Sequence, residues 1–184
     1  MNIIKDQTPP GRSLFFRGLL FLLLLFCISL EPGVLPAQSV GVSMNEILIG
    51  QSCALEGPTK ALGLGMRNGA LAYFKHINES GGIRGKRIRL VSYDDGYEPE
   101  VCIKNSNRLI REDRVFLLFG YVGTPTSKVA VPIATEERVP FFAPFTGAEF
   151  LRSPLNRHVF NIRASYYQET GAMVDRLVLD RGVK

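Results

Sequence analysis

From Glu46 onward the sequence alternates four short apolar runs with three helix-length segments, and few folds accept that order. The runs are EILIGQS (46–52), KRIRLVSYDD (86–95), RVFLLFGY (114–121) and VPFFAPF (139–145). Parallel strands must be joined by a crossover long enough to hold a helix. The pattern β-α-β-α-β-α-β therefore predicts an α/β fold, a doubly wound, mostly parallel sheet with helices on both faces.

Each segment carries its own local signal. In the second run Ile88, Leu90 and Ser92 alternate with Arg89, Val91 and Tyr93, the period of a strand. Over 62–79 the apolar residues Met66, Ala70, Tyr73, Phe74 and Ile77 fall on one helical face, and Gly81 or Gly82 supplies a left-handed cap. Pro99 opens a second helix reaching about Glu112, with Cys102, Leu109 and Ile110 inward. Pro125 stands in the first turn of a third, TPTSKVAVPIATEE, where Pro132 predicts a kink or an early end. The run RVFLLFGY reads as a strand buried on both faces.

Not all the apolar content belongs to the fold. Lys5, Arg12 and Arg17 precede the 13-residue run GLLFLLLLFCISL, and Leu35-Pro36-Ala37 offers a cleavage site before Gln38. Residues 1–37 read as a secretory signal, the run being short of the roughly 20 residues of a membrane span. The remainder is expected to be periplasmic or extracellular, an uncleaved membrane anchor being the alternative. Phe26 before Cys27 argues against lipid attachment there.

Once the signal is removed, Cys53 and Cys102 remain, either as a disulfide or as two buried thiols. His76 and His158 lie far apart, and no cysteine or histidine spacing suits a metal. The net charge of +5 is modest, and the one dense basic patch, RGKRIRL, reads as a solvated turn and strand edge. A nucleic-acid surface would carry more charge and interleaved aromatics.

Spaced glycines at Gly63, Gly65 and Gly69 invite a nucleotide-binding reading. A dinucleotide fingerprint follows its strand directly, however, and residues 53–62 intervene here. Gly65 and Gly69 share a helical face, which predicts close helix-to-sheet packing instead. Asp94 and Asp95 point to opposite faces of a strand and are read as a turn that satisfies backbone N–H groups. Gly-x-Ser-x-Gly is absent, and no residue is assigned a catalytic role. No cofactor is expected.

Ligands of such sheets bind at the carboxyl ends of the strands, near the switch in strand order. The candidates there are Thr124-Pro125-Thr126-Ser127, hydroxyls at a helix N-terminus suited to an anion or to a plain N-cap. Phe145, Thr146 and Gly147 follow the fourth run, an aromatic wall beside a hydroxyl and bare backbone, suited to a small organic molecule or to packing under neighbouring loops.

Together, LEGP, the glycine-spaced helix, GGIRGK, YDDGYEP and PFTGA arrive in the register of a known family. From Glu46 to its end the chain resembles the periplasmic substrate-binding proteins of branched-chain amino-acid ABC transporters, which share the type I fold of receptor ligand-binding regions. The resemblance implies two α/β lobes closing over a small amino acid or related acid or amide, without chemistry. An ABC permease is the implied partner, and a monomer the expected state. It places Thr124 on the ligand carboxylate, Phe145–Gly147 by the ammonium, and Leu62 where relatives often carry an aromatic. Phe145-Thr146-Gly147 departs from the usual pattern by shifting the hydroxyl one position.

Residues 38–163 then form the N-terminal lobe. Residues 164–184 are the hinge crossover, near Arg163 and Ser165, and the first helix of a truncated second lobe. Met173, Val174, Leu177 and Val178 share one face of that helix. A lone lobe is expected to bind weakly or not at all. Other readings are the sensor region of a membrane receptor, a non-functional truncated paralogue and, last, an enzyme.

Overall fold

The computed structural model describes residues 39–183, so the expected signal over 1–37 lies outside the described residues. Strand β1 (Glu46–Cys53) pairs in parallel with β2 (Arg87–Asp94), Glu46 facing Arg87 and Cys53 facing Asp94. On its other side β1 meets β3 (Leu117–Phe119), followed by β4 (Phe141–Phe142) and β5 (Val159–Phe160), every pair parallel. The order β2-β1-β3-β4-β5 puts the switch point between β1 and β3. The α/β, parallel-sheet expectation is met. The fifth strand was not anticipated, because its two residues carry no alternation to read.

Strand periodicity sorts the two layers. Gly50 faces Leu109 and Val115, whereas Ile47 and Ile49 face Phe74 across the sheet. Helices α2 (Pro99–Arg111) and α3 (Thr124–Glu136) cover the first side, and α1 (Lys60–Glu79) covers the second. The core lies under α2 and α3, where Cys102, Leu109, Leu118, Tyr121, Ala130, Ala134 and Phe141 are buried. Each large aliphatic or aromatic side chain so buried stabilises the fold by about 1.5–3 kcal/mol.

The α1 side is thinner. Leu117 and Phe119 are only half-buried, which corrects the reading of this strand as buried on both faces. With Ile47, Ile49, Phe74, Ile88 and Phe142 they line an apolar recess of about 380 Å³. The Phe119, Phe142 and Phe160 rings step across three strands at centroid spacings of 6.2 and 6.2 Å.

Two local expectations also change. Helix α3 runs through Pro132 without ending; the ring is exposed, so the missing hydrogen bond falls on the solvated side. In α1 the close approach is made by Gly63, its buried residue, and not by Gly65 or Gly69. A Cβ on Gly63 would overlap the Ala54 carbonyl oxygen, whereas Gly65 and Gly69 have no atoms within 4 Å of theirs. The face that reaches Ala54 is the one turned to the loop leaving β1.

After β5 the chain turns into α4 (Tyr166–Val174) and a π-helical turn, Asp175–Asp180. Ser165 caps α4 in a full capping box with Gln168. Arg152 donates to the carbonyls of Arg163 (2.6 Å) and Ala164 (3.0 Å), fastening the crossover to the sheet. Beyond it Met173, Val174, Leu177 and Val178 are exposed, as their spacing predicts for an unpartnered face.

Candidate functional site

At the carboxyl edge of the sheet, the loops after β1, β2, β3 and β4 surround the switch point. The loop after β2 is held from below. Ser52 Oγ donates to Asp95 Oδ2 at 2.7 Å, and the Tyr97 N–H donates to Asp95 Oδ1 at 2.9 Å. Asn105 Nδ2 bridges Ser52 Oγ and the Asp94 carbonyl at 3.2 and 2.9 Å. Asp94 turns the other way, its Oδ1 accepting from the N–H groups of Leu55 (2.6 Å) and Gly96 (3.0 Å). The two carboxylates are thus backbone anchors, as their opposed directions require. Burial pushes the Asp95 carboxyl up, against the Ser52 hydroxyl and the Tyr97 amide.

Tyr97 lies over the loop after β3. Its ring carbon stands 2.5 Å from where a Cβ on Gly123 would be, and Gly123 has φ 112°. Only glycine meets both demands. Gly123 is the N-cap of α3 and offers no side chain, so the N–H groups of Thr124 and Thr126 keep no partner among the described residues. These donors, at the positive end of α3, suit an anion.

Thr124, half-buried, opens that helix. Its Oγ1 lies 2.7 Å from Thr146 Oγ1, which lies 3.1 Å from the Tyr166 hydroxyl. The three hydroxyls form one chain across the loops after β3 and β4 and the start of α4. The Thr146 and Thr124 hydroxyls draw the Tyr166 phenol below its usual range. Thr146 is fully buried, and it also accepts from the Ala148 N–H at 3.3 Å.

The structure separates the remaining candidates. Thr126 is fully buried, and its hydroxyl turns inward to the carbonyls of Val122 (2.7 Å) and Gly123 (3.2 Å). It braces the loop from within and is closed off from the carboxyl edge. Ser127 Oγ is buried without a partner among the described residues. Gly147 is required by close approach: a Cβ there would lie 2.7 Å from the Tyr166 ring, and its carbonyl accepts the Tyr166 N–H at 2.8 Å. Phe145 is exposed at the rim, and Leu62 is exposed in the first turn of α1 at the same edge.

Arg163 sits 5.2 Å from the Phe145 ring centroid and 5.3 Å from that of Tyr166. Glu169 holds its guanidinium in a fork at 2.6 and 2.7 Å, which lowers the Glu169 carboxyl and raises Arg163. Arg163 and Ser165, expected at the hinge, border this cluster, and Tyr97, Tyr166 and the ring-stacked cation join it with no local signal in the sequence. Tyr97 stands just past the Asp94-Asp95 turn, where no spacing singles it out. Tyr166 reaches the cluster only through the crossover, which no local pattern reports.

Cys53 and Cys102 are both free and buried, so the disulfide their pairing allowed is not formed. They lie on opposite sides of the sheet. Cys53 Sγ faces the Gly63 carbonyl of α1 at 3.8 Å, and Cys102 Sγ faces the Thr126 carbonyl of α3 at 3.6 Å. Burial pushes each thiol up to about 12. Neither is expected to react with iodoacetamide at neutral pH until the protein is unfolded. For residues 38–184, which exclude Cys27, two thiols labelled only in denaturant, counted by intact mass, is the expected result; labelling of folded Cys53 or Cys102 would place them elsewhere.

A five-stranded parallel lobe thus gathers an anion-suited helix start, three linked hydroxyls and two aromatic rings under one cation at a single edge. The sequence model of the periplasmic binding protein family matches residues 46–184, and the chain belongs to that family. It is 35% identical over 89 residues to the Leu/Ile/Val-binding protein BraC3 of Rhizobium johnstonii, covering 48% of this chain and 23% of that one. The leucine-, isoleucine-, valine-, threonine-, and alanine-binding protein of Pseudomonas aeruginosa is 28% identical over 115 residues, 62% of this chain and 31% of that one. Among solved structures, one described as a possible leucine/isoleucine/valine-binding protein from Rhodopirellula baltica superposes with a TM-score of 0.70 at 41% identity. It covers 80% of this chain and 38% of that one. The chain thus spans well under half the length of these relatives.

Proposed function

We propose that this chain is the N-terminal lobe of an extracytoplasmic solute-binding protein serving an ABC importer. Its cleft takes a small amino acid or a related organic acid or amide. The observation that carries the reading is Thr124, whose hydroxyl and N–H stand at the uncapped start of α3, 2.7 Å from the Thr146 hydroxyl. A carboxylate seated there gains charge-assisted hydrogen bonds and the helix dipole. Phe145, with Arg163 stacked on it, walls the side-chain end.

The hydroxyl of Thr146 is shared with Thr124 and Tyr166, and the Gly147 carbonyl receives the Tyr166 N–H. An ammonium therefore meets fewer open acceptors in this loop than the resemblance implies, which favours acids and amides alongside amino acids. The relatives named for leucine, isoleucine and valine binding support the ligand class.

The test is calorimetric titration of the protein isolated from its native envelope, with aliphatic and aromatic amino acids, their amides and the matching carboxylic acids. Binding of a carboxylate-bearing ligand is expected, and Thr124→Ala should weaken it by about 10- to 100-fold, the worth of a hydrogen bond to a charged group. Tyr166→Phe should weaken it less, by about threefold to tenfold, since the phenol acts through Thr146. No binding by any of these, or binding indifferent to Thr124→Ala, would end the proposal. An antibody to residues 38–184 should detect a species of about twice 20.4 kDa in that envelope, the size of two ordinary domains.

A further inference from the structure

A parallel sheet starts all its strands at one edge, so the turns entering β1 to β5 share the face opposite the cleft. Three of them repeat one feature. Arg84 before β2, Arg114 before β3 and Arg138 before β4 all hold left-handed backbone, with φ 51°, 54° and 56°. Glycine adopts that conformation freely and is the usual residue after a helix. The backbone therefore gives no reason for arginine at three equivalent turns.

The surroundings share the charge. Arg87 and Arg157 are exposed on the same edge, and Lys86 donates to the carbonyls of Ser43 and Met44 at 2.7 and 2.8 Å. The acidic groups here are largely engaged. Glu46 pairs with Arg89, Glu137 with Arg111 and Glu112 with Arg108, while Asp113 accepts the Tyr93 hydroxyl. Glu79, exposed near Arg87, pairs with Lys75, and Glu136 is exposed with no cationic partner among the described residues. Arg84, Arg87, Arg114, Arg138 and Arg157 have no acidic partner among the described residues.

Aliphatic side chains stand out between these cations. Met44 is 84% exposed and Leu155 89%. Val40 lines, with Arg111, Arg114 and Arg138, a groove of about 620 Å³. Cations with long stems beside projecting aliphatic tips match an interface that is anionic outside and apolar within. A nucleic-acid strand would call for stacking aromatics in place of Met44 and Leu155.

We propose that this basal face docks on an anionic phospholipid surface, with Arg84, Arg114 and Arg138 at headgroup depth and Met44 and Leu155 in the interface. The cleft then points away from the bilayer. The inference does not depend on the ligand of the cleft.

The test is co-sedimentation of the full chain with phosphatidylcholine vesicles containing about one-third phosphatidylglycerol, against pure phosphatidylcholine. The upstream apolar run and its basic residues Lys5, Arg12 and Arg17 are common to the wild type and every variant, so the comparison among these isolates the basal face. Anion-dependent binding is expected, falling steeply as salt is raised to about 0.5 M. The variant Arg84→Gly/Arg114→Gly/Arg138→Gly gives those turns their preferred residue, so it should fold with an unchanged or higher Tm. Its anion-dependent partition should fall by about fivefold per residue, on the order of 100-fold in all.

A control with the same charge change at the opposite edge, Lys60→Gln/Arg67→Gln/Lys128→Gln, should lose less than about threefold, since screening confines the attraction to the near face. The chain has no tryptophan, so Leu155→Trp reports alone. Its emission should shift to the blue with the anionic vesicles. Equal losses in the two triple variants, no anion dependence, or an unshifted Trp emission would overturn the proposal. So would retention on DNA without partition to vesicles.

Discussion

Gly63→Ala is expected to lower Tm by about 10 °C or more, or to leave the chain unfolded, whereas Gly69→Ala should raise it by a few degrees. Both residues lie in α1, and helix propensity alone favours both changes by about 1 kcal/mol. What separates them is space. The new methyl at 63 would overlap the Ala54 carbonyl oxygen and stand 2.7 Å from its carbon, both backbone atoms of a buried loop. Overpacking against a side chain costs about 1–3 kcal/mol; a clash with backbone that cannot rotate away belongs at or above the top of that range. At 69 the methyl meets nothing within 4 Å, so only the propensity gain remains. Thermal unfolding followed by circular dichroism checks the pair. Equal shifts of the same sign would remove Gly63 as the point where α1 rests on the sheet.

Asp95→Ala should cost about 3 kcal/mol at neutral pH and loosen the loop after β2 at the same time. The carboxylate is 1% exposed and serves Ser52 and the Tyr97 N–H, so truncation leaves two buried donors to find other partners. Tyr97, which lies against Gly123, loses its anchor. Asp95→Asn should be far milder, because it keeps one acceptor and removes a buried charge.

The sign of the pH dependence follows from the cause. Burial raises the folded-state pKa of Asp95 above that of the unfolded chain. Its contribution to stability is therefore full below the ordinary aspartate value of about 4 and is lost as pH rises through the folded value. Denaturant titrations should show Asp95→Asn gaining on the wild type as pH rises from the ordinary aspartate value through the folded one, and holding a constant margin above it. Wild-type stability in Asp95→Ala would show the carboxyl to be solvated, and a gain for Asp95→Asn toward acid pH would show that the bonds from Ser52 and the Tyr97 N–H outweigh burial.

Much of this fold is legible in the sequence because its period is regular. β1 and β2 run for eight residues each and announce themselves; β4 and β5 have two apiece, and β5 was missed because so short a strand has no alternation. Helix positions were found by apolar spacing, but the role of each glycine was not. Gly65 and Gly69 look like a packing face on a helical wheel, and only the path of the loop through Ala54 shows that Gly63 is the one in contact. The disulfide idea failed for a related reason. Period-two alternation puts Cys53 with Ile49 and Gln51, yet it does not tell on which side α2 brings Cys102.

The site divides in the same way. Thr124 and Thr146 follow adjacent parallel strands, so their meeting is a consequence of strand order. Thr124 and Thr126 look alike in the sequence because both carry a hydroxyl at the start of one helix. They are two positions apart and face different ways, one toward Thr146 and one toward Val122. Tyr166 lies 20 residues beyond Thr146 and arrives through a strand and a clamp that no motif describes.

Tyr166 is tied at both ends, its N–H to the Gly147 carbonyl and its phenol to Thr146, while its own backbone begins α4. The crossover just ahead of it is pinned by Arg152. The residue that opens α4 is therefore also a wall of the threonine pair, so any rotation of α4 about that pin would have to carry the phenol with it or break its bond to Thr146.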